Sequence, residues 1–446
     1  MRILRLFALF APLVVRAQEP LALRDAVRQA LSQNKRIEAA KAGIDKSTAA
    51  IAEARSGLLP KANYSEGWAR SDNPVFVFSS LLTQHQFGAE NFQIGPLNRP
   101  DFLNNFQSVV SAEQPLYDAG QTKRAVRSAG ISRDLAREDA RRSEFDVIAQ
   151  TAKAYYDAQM ESQQLQSLQD AMRSAEADLA RAESRTAAGM ATDVDVLSIR
   201  VHVSAVREQQ ILHGANLDVA RAALNDAMGL PLDTPRALVT SLTALAVPKN
   251  LLSEFETNGA ANRPETREAA LASELAANQS SEAKANLLLP RVDLRGAFEA
   301  DRQRFYDRGG ANWLISIGLR WNLFNGSADQ AKVRESVATE RRTKAEQQRA
   351  ESAIRLQVRR AWADLQAAQQ RIESASASVA EAEESLRISQ NRYEAGLNTV
   401  TDLLRTESAL IETRTRYLAA VHDQRVAAVM LEWAAGTLTV DSEALN

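Results

Sequence analysis

The sequence predicts an α+β fold, mostly helical, in which long coiled-coil helices form a tube and each chain adds four strands to a transmembrane β-barrel shared between chains. Three observations predict it. Two stretches, AGMATDVDVLSIR from Ala188 and AGLNTVTDLLRTE from Ala395, paraphrase each other, and their glycines, Gly189 and Gly396, lie 207 positions apart (189 to 396). Neither glycine nor proline occurs from Ser327 to Ala395. Short runs in each half alternate apolar and polar residues in the manner of strands half exposed to an apolar medium.

The repeat extends well beyond the glycines. At the same offset Leu116–Tyr117 matches Leu323–Phe324, Asp157 matches Asp364, Arg185 matches Arg392, Thr192 matches Thr399, Asp195 matches Asp402 and Gly229 matches Gly436. Upstream, SGLLPKANY from Ser56 pairs with ANLLLPRVDL from Ala285 at a larger offset, because Ser71–Asn104 has only a short counterpart near Asp301–Gly310. The chain is therefore expected to be an internal duplication with one enlarged loop. Residues 18–230 form the first repeat, 231–264 a proline-punctuated equatorial linker, 265–438 the second repeat and 439–446 a tail.

The N-terminus is a separate object. Arg2 and Arg5 precede the apolar run Leu6–Val15, and Ala17 ends a small-residue site, so residues 1–17 read as a secretory signal cleaved after Ala17. Losing Arg2, Arg5 and Arg16 would take the net charge from −2 to −5. No later segment offers the roughly 18 apolar residues of a membrane helix.

Composition excludes several classes. No basic stripe suits a nucleic acid. With no cysteine there are no disulfides, thiolate metal sites or cysteine nucleophiles. His85, His202, His213 and His422 show no ligand spacing and read as surface or helix-face residues, so no metal site is expected. A nucleophile elbow, a phosphate-cradling glycine loop and an H-E-x-x-H motif are all missing, which argues against an enzyme or a bound cofactor.

Each repeat reads helix, strand, strand, very long helix, turn, helix. The run Ser327–Ala395 would span roughly 100 Å as one helix. In its second half Val358, Leu365, Ile372, Val379, Leu386 and Tyr393 recur every seventh residue, with Ala361, Ala368, Ala375 and Ala382 three places behind. That is a coiled-coil seam whose alanines admit close approach. The first copy keeps it more weakly at Leu165, Met172 and Leu179. Charged and amide residues cover much of the remaining circumference, which suits a thin wall wet on both sides.

The strands are clearest in the second repeat. In RVDLRGAFEAD, Val292, Leu294, Gly296, Phe298 and Ala300 share one face; in NWLISIGLRWNL, Trp313, Ile315, Ile317, Leu319, Trp321 and Leu323 do so. Lys61–Arg70, carrying Trp68, and Asn105–Leu116 alternate less cleanly. Runs of about ten residues fit a tilted membrane strand, and Trp68, Trp313 and Trp321 fit interfacial belts. Four strands cannot close a barrel, and open edges are not tolerated in lipid, so several chains are expected to share one.

Locally, Gly189 and Gly396 suit the left-handed residue that ends a helix, with Met190 and Leu397 as the apolar residues after it. Thr192 with Asp195 and Thr399 with Asp402 have the form of capping boxes. Taken together, the duplicated LLP-strand signal, the junctions QPLYDAG and WNLFNG, and the tip RYEAGLNTVTDLL strongly resemble TolC-like outer-membrane efflux proteins over essentially all of the chain after the signal segment.

The resemblance implies a homotrimer with a twelve-stranded barrel among outer-membrane lipids and an α-barrel crossing the periplasm. It further implies docking to a periplasmic adaptor and an inner-membrane pump, with drugs, metals or proteins as cargo. Gly189, Met190, Gly396 and Leu397 would be the adaptor-docking tips. Asp402 would lie in the acidic ring of the periplasmic constriction, and Asp195 and Tyr393 in the polar network that keeps it closed. Asn398 departs from that pattern, standing where the family has an arginine linking coils. Arg405 stands where it has a second acidic ring. Together these imply a looser, less cation-selective gate. The long loop from Ser71 would sit at the extracellular mouth, and its many phenylalanines suit packing on neighbours or folding over the pore better than full solvation. Two other classes use long helical hairpins, periplasmic adaptors and structural coiled-coil fibres; the duplication and the strand pairs argue against both.

Overall fold

The computed structural model describes residues 19–246 and 251–446; the expected signal segment, 1–17, lies outside the described residues. In chain order the elements are β1 (Glu19–Leu21), α1 (Leu23–Gln33), α2 (Lys35–Arg55), β2 (Lys61–Ser71), α3 (Pro74–Thr83), α4 (Ile94–Asn98), β3 (Leu103–Tyr117), α5 (Gln121–Ala187), α6 (Asp193–Ala227), β4 (Arg236–Leu238), α7 (Leu252–Asn262), α8 (Pro264–Leu288), β5 (Arg291–Arg302), β6 (Gly310–Arg320), α9 (Ala328–Glu394) and α10 (Val400–Ala434). The fold is mostly helical with few strands, as the sequence predicts. Helices α5 and α9 each have 67 residues, and α6 and α10 each have 35. Members of each pair begin 207 positions apart (121 to 328, 193 to 400).

The chain divides into two compact units. The first comprises the described residues up to 41 together with 138–267 and 349–446. Its core joins Leu23, Ala26, Val27 and Ala30 of α1 to Val147 and Ala152 of α5, Val358 and Leu365 of α9, and Val421 and Leu431 of α10. The heptad seam of α9 is buried at Val358, Ala361, Leu365, Ala368 and Ile372, whereas Val379 and Leu386 are half-buried. Strands β1 and β4 pair in parallel, a three-residue ladder too short to carry a sequence period.

Two adjacent tyrosines tie the chain's ends into this core. The Tyr155 hydroxyl donates to the Leu21 carbonyl at 2.8 Å and accepts from the Thr240 amide at 2.9 Å. Tyr156 donates to the Ala444 carbonyl at 2.8 Å. Both rings are fully buried. Tyr155→Phe strands a buried carbonyl and amide and should cost about 1–3 kcal/mol. A thermal melt should then fall by several degrees, while Tyr306→Phe, at an exposed turn residue, should leave it unchanged.

Gly229 closes α6 with φ of +73°. A β-carbon there would lie 2.6 Å from the Gln33 carbonyl oxygen, where α1 gives way to α2. Only glycine allows both the left-handed backbone and this approach.

The second unit, 42–137 with 268–348, holds an antiparallel sheet in the order β2-β3-β5-β6. Strand β6 ends at Arg320, so Trp321 and Leu323 stand beyond it, and the strand stops three residues short of the expected run's end at Leu323. The enlarged loop is partly helical. Asn73 accepts from the Val75 and Phe76 amides, and Pro74 opens the first turn of α3.

Candidate functional site

Within the first unit, the two helical hairpins turn by the same chemistry. At the end of α5 the Met190 amide donates to the Arg185 carbonyl at 2.8 Å and the Gly189 amide to that of Thr186 at 2.9 Å. At the end of α9 the Leu397 amide reaches Arg392 at 2.8 Å and the Gly396 amide reaches Tyr393 at 3.0 Å. Gly189 and Gly396 have φ of +70° and +73°. These are paired Schellman closures. They leave Met190 and Leu397 exposed by 66 % and 69 %.

The next helices start on reciprocal caps. The Asp195 amide donates to the Thr192 hydroxyl oxygen, and the Thr192 amide and hydroxyl donate to the Asp195 carboxylate at 3.0 and 2.9 Å. Thr399 and Asp402 repeat this, with the hydroxyl bond at 2.7 Å. The Thr399 donors, helped by the nearby Arg405 and Arg392 charges, hold the Asp402 carboxyl below its ordinary range. Arg405 itself is exposed. Asn398 donates to the Ser389 hydroxyl at 3.3 Å, a bond within its own hairpin.

The two hairpins meet through Arg185 and Tyr393. The guanidinium lies 5.3 Å from the ring centroid and donates to the Tyr393 carbonyl at 3.3 Å. Asp195 is spent on its cap, and among the described residues no hydrogen bond joins it to Tyr393. Beneath this contact Leu168, Met172, Val196, Ile199, Val203 and Val400 form an apolar cluster.

Beside it lies a polar knot that inspection of the sequence does not single out. Asp178 of α5 and Glu407 of α10 are 2 % and 6 % exposed and face each other closely enough to perturb one another's carboxyl. His202 of α6 places its Nε2 3.1 Å from Glu407, and Arg181 pairs with Asp178. Burial, then the facing Glu407, push the Asp178 carboxyl up to about 6 against the pull of Arg181. Burial also opposes ionisation of Glu407, but its bonds with His202 and Asp178 outweigh it and the carboxyl sits below its ordinary range. The only sequence signal was the Asp178–Arg181 spacing of an ordinary helix pair.

In the second unit the register separates two chemically distinct sheet faces. One row runs Tyr64, Val110, Phe298, Trp313 and the next Ala62, Ala112, Gly296, Ile315, followed by Leu294 with Ile317 and Val292 with Leu319. Trp313, Ile315, Ile317 and Leu319 are each at least 64 % exposed. The opposite face carries ion pairs Arg295–Glu113 at 3.4 Å and Arg320–Asp293 at 2.6 Å, with Gln107 bonded to Glu299. Trp68 packs on Phe106 at 6.4 Å near the loop end of the sheet, Trp313 stands opposite Phe298 in the register, and Trp321 stands at the other end. From Trp313 to Trp321 is about 26 Å along the chain at roughly 3.3 Å per residue. An apolar outer face bounded by aromatics and a polar inner one is the pattern of an outer-membrane strand. No helix among the described residues is long and apolar enough to cross a membrane. Nor, among the described residues, is there a cluster of three or more His, Asp or Glu placed to hold a metal.

A sheet of this kind, followed by two pairs of long coiled-coil helices with matched capped tips, defines an outer-membrane channel of the TolC-like class. Known proteins agree. The profile described as outer membrane efflux protein matches residues 26–230 and 258–437, and the chain belongs to that family. It is 25 % identical to the outer membrane efflux protein BepC of Brucella suis over 412 residues, 89 % of this chain and 88 % of that one. Protein CyaE of Bordetella pertussis is 27 % identical over 351 residues, covering 76 % and 73 %. The crystal structure of the Campylobacter jejuni CmeC outer membrane channel superposes with a TM-score of 0.80 at 15 % identity, covering 95 % and 87 %. The chain is thus an outer-membrane export channel extending into the periplasm, in a family made of channels and not enzymes.

Proposed function

We propose that three copies of this chain assemble into one conduit, each lending four strands to a twelve-stranded barrel, and that it receives cargo from a periplasmic adaptor and an inner-membrane pump. The observation that carries the shared barrel is the sheet itself. Among the described residues strands β2 and β6 each have one paired side only, while a row of Tyr64, Val110, Phe298 and Trp313 crosses one face of all four strands. Lipid does not tolerate open edges, and eight strands is the smallest closed barrel. Trp68, Trp313 and Trp321 anchor that barrel at the bilayer interfaces.

At the hairpins, exposed Met190 and Leu397 beside Gly189 and Gly396 are the apolar points on which adaptor helices dock. Asp402 and Arg405 line the constriction, and Arg185 on Tyr393, with Asp195 and Asn398 nearby, sets how firmly the hairpins stay together. The relatives' names span efflux and protease secretion, so the cargo is small molecules or proteins passed on by the pump.

In a planar bilayer the reconstituted protein should give discrete conductance steps. Asp402→Ala should lower cation over anion permeability about two- to threefold by removing one charge per chain from the narrowest ring. An unchanged selectivity would remove Asp402 from the constriction, and the absence of any steps would count against the conduit.

A further inference from the structure

The duplication holds at the level of single contacts. In the first hairpin Arg207 of α6 pairs with Glu176 of α5 at 3.4 Å, and 207 positions on (207 to 414, 176 to 383) Arg414 of α10 pairs with Glu383 of α9 at 2.6 Å. The two hairpins meet in part along an antiparallel seam, α5 against α10. His422 Nε2 lies 2.7 Å from Asp157 Oδ1, and seven residues further along α5 Gln164 donates to the Thr415 hydroxyl at 2.7 Å. Leu404, Thr415, Leu418 and His422 share one face of α10 by their spacing, and all four are half-buried. Leu404 packs on the apolar cluster of α5 and α6.

Each side of that seam has a counterpart in the other repeat, and both counterparts lie open. The matching face of α6, at the same offset, is Leu197, Glu208, Ile211 and Ala215. All four are exposed, Leu197 by 57 % and Ile211 by 70 %. On α9 the matches of Asp157 and Gln164 are Asp364 and Arg371, both exposed. They line an open groove of about 490 Å³ together with Ala361, Ala368, Val426 and Met430. Further along, Val379 is half-buried where its match Met172 is buried. What covers such a face is visible within the chain: the corresponding face of α10 is covered by the other hairpin. Applying the α5–α10 contact once more sets α6 of one copy against α9 of the next. Ala215 then stands beside Asp364, where its small side chain admits close approach. Glu208 stands beside Arg371, so a carboxylate meets a guanidinium where the first seam has Gln164 and Thr415. A head-to-tail contact of this kind makes a ring when its rotation closes.

We infer that α6 of one copy seats through Leu197, Glu208, Ile211 and Ala215 in the α9–α10 groove of a second copy, so that the seam between chains repeats the seam within each. The inference rests on the three-chain reading above and fixes which faces join. The chain has no cysteine of its own, so introduced pairs can be linked without background. The test uses the full-length double variants Ala215→Cys with Asp364→Cys and Glu208→Cys with Arg371→Cys, all at exposed positions. Each is extracted in detergent, sized by light scattering, treated with a short bis-maleimide and run on a denaturing gel. Both pairs should give covalent species of two and three chains. Their yield should be about tenfold above that of any single variant or of Glu208→Cys with Gln357→Cys, whose second site lies about 21 Å away along α9. Linking that is equal in the displaced pair, or absent from a particle of three chains, overturns the seam and leaves the groove to an adaptor. A particle of one chain overturns the three-chain reading and the seam with it.

Discussion

Ile317→Arg should all but remove the protein from the outer membrane, whereas Ser316→Arg, one residue away, should leave it there. Ile317 sits on the apolar face, opposite Leu294, four residues from each of Trp313 and Trp321. It is 69 % exposed, with nothing among the described residues to cover it. An arginine near the bilayer midplane of a barrel costs about 2–4 kcal/mol, and a shared barrel would carry that cost once per chain. Ser316 points the other way, opposite Arg295, which already pairs with Glu113. A second guanidinium there stays in water and costs under about 1 kcal/mol. Immunoblots of outer-membrane fractions would read the outcome. Equal abundance of the two variants would mean that the apolar face does not meet lipid.

The second large effect is a dependence on pH set by Asp178. Its carboxyl titrates near 6 in the folded protein against an ordinary value of 3.8. A raised carboxyl favours the protonated form, so the fold bears a growing penalty as pH rises from about 4 through 6, and the full penalty above that. Glu407 runs the other way: its lowered carboxyl stabilises the fold above its ordinary 4.5 and loses that contribution as pH falls through its folded value. Together they make the junction of α5, α6 and α10 tightest in mildly acid solution. Asp178→Asn keeps an acceptor for Arg181 and offers Glu407 a donor in place of a repelling charge. The rise from 3.8 to about 6 corresponds to about 3 kcal/mol as a ceiling. At pH 7.5 amide exchange in residues 172–187 and 400–411 should therefore slow at least tenfold in Asp178→Asn. At pH 4, close to the ordinary value of the carboxyl and well below its folded one, the variant and the wild type should converge. An equal effect at both pH values would place the role of Asp178 in packing and not in its charge.

Much of this architecture is legible in the chain because its determinants are local or periodic. Each hairpin tip is written in seven consecutive residues, 189–195 and 396–402, since a Schellman glycine and a Thr-x-x-Asp cap act on the backbone beside them. The long helices follow from the absence of breakers, and the sheet faces from strict alternation in β5 and β6. What is hidden depends on contacts distant in sequence. The pair Asp178 and Glu407 joins helices 229 positions apart (178 to 407), and each residue alone looks like a solvated helix charge. His202, which reads as a surface or helix-face residue, lies 3.1 Å from Glu407 with a side chain only 10 % exposed. β1 and β4 are too short to carry a period. Helix α3 has a clear Asn-Pro start at Asn73–Pro74, yet its uniformly apolar stretch gives no helical face to recognise.

The central claim is that one chain is a third of a channel. The detergent-corrected mass of protein extracted from outer-membrane fractions, measured by light scattering after size exclusion, tests it most directly. Three chains per particle, recovered only with detergent, is the predicted result. A particle of one or two chains, or protein recovered from the periplasm without detergent, would contradict it.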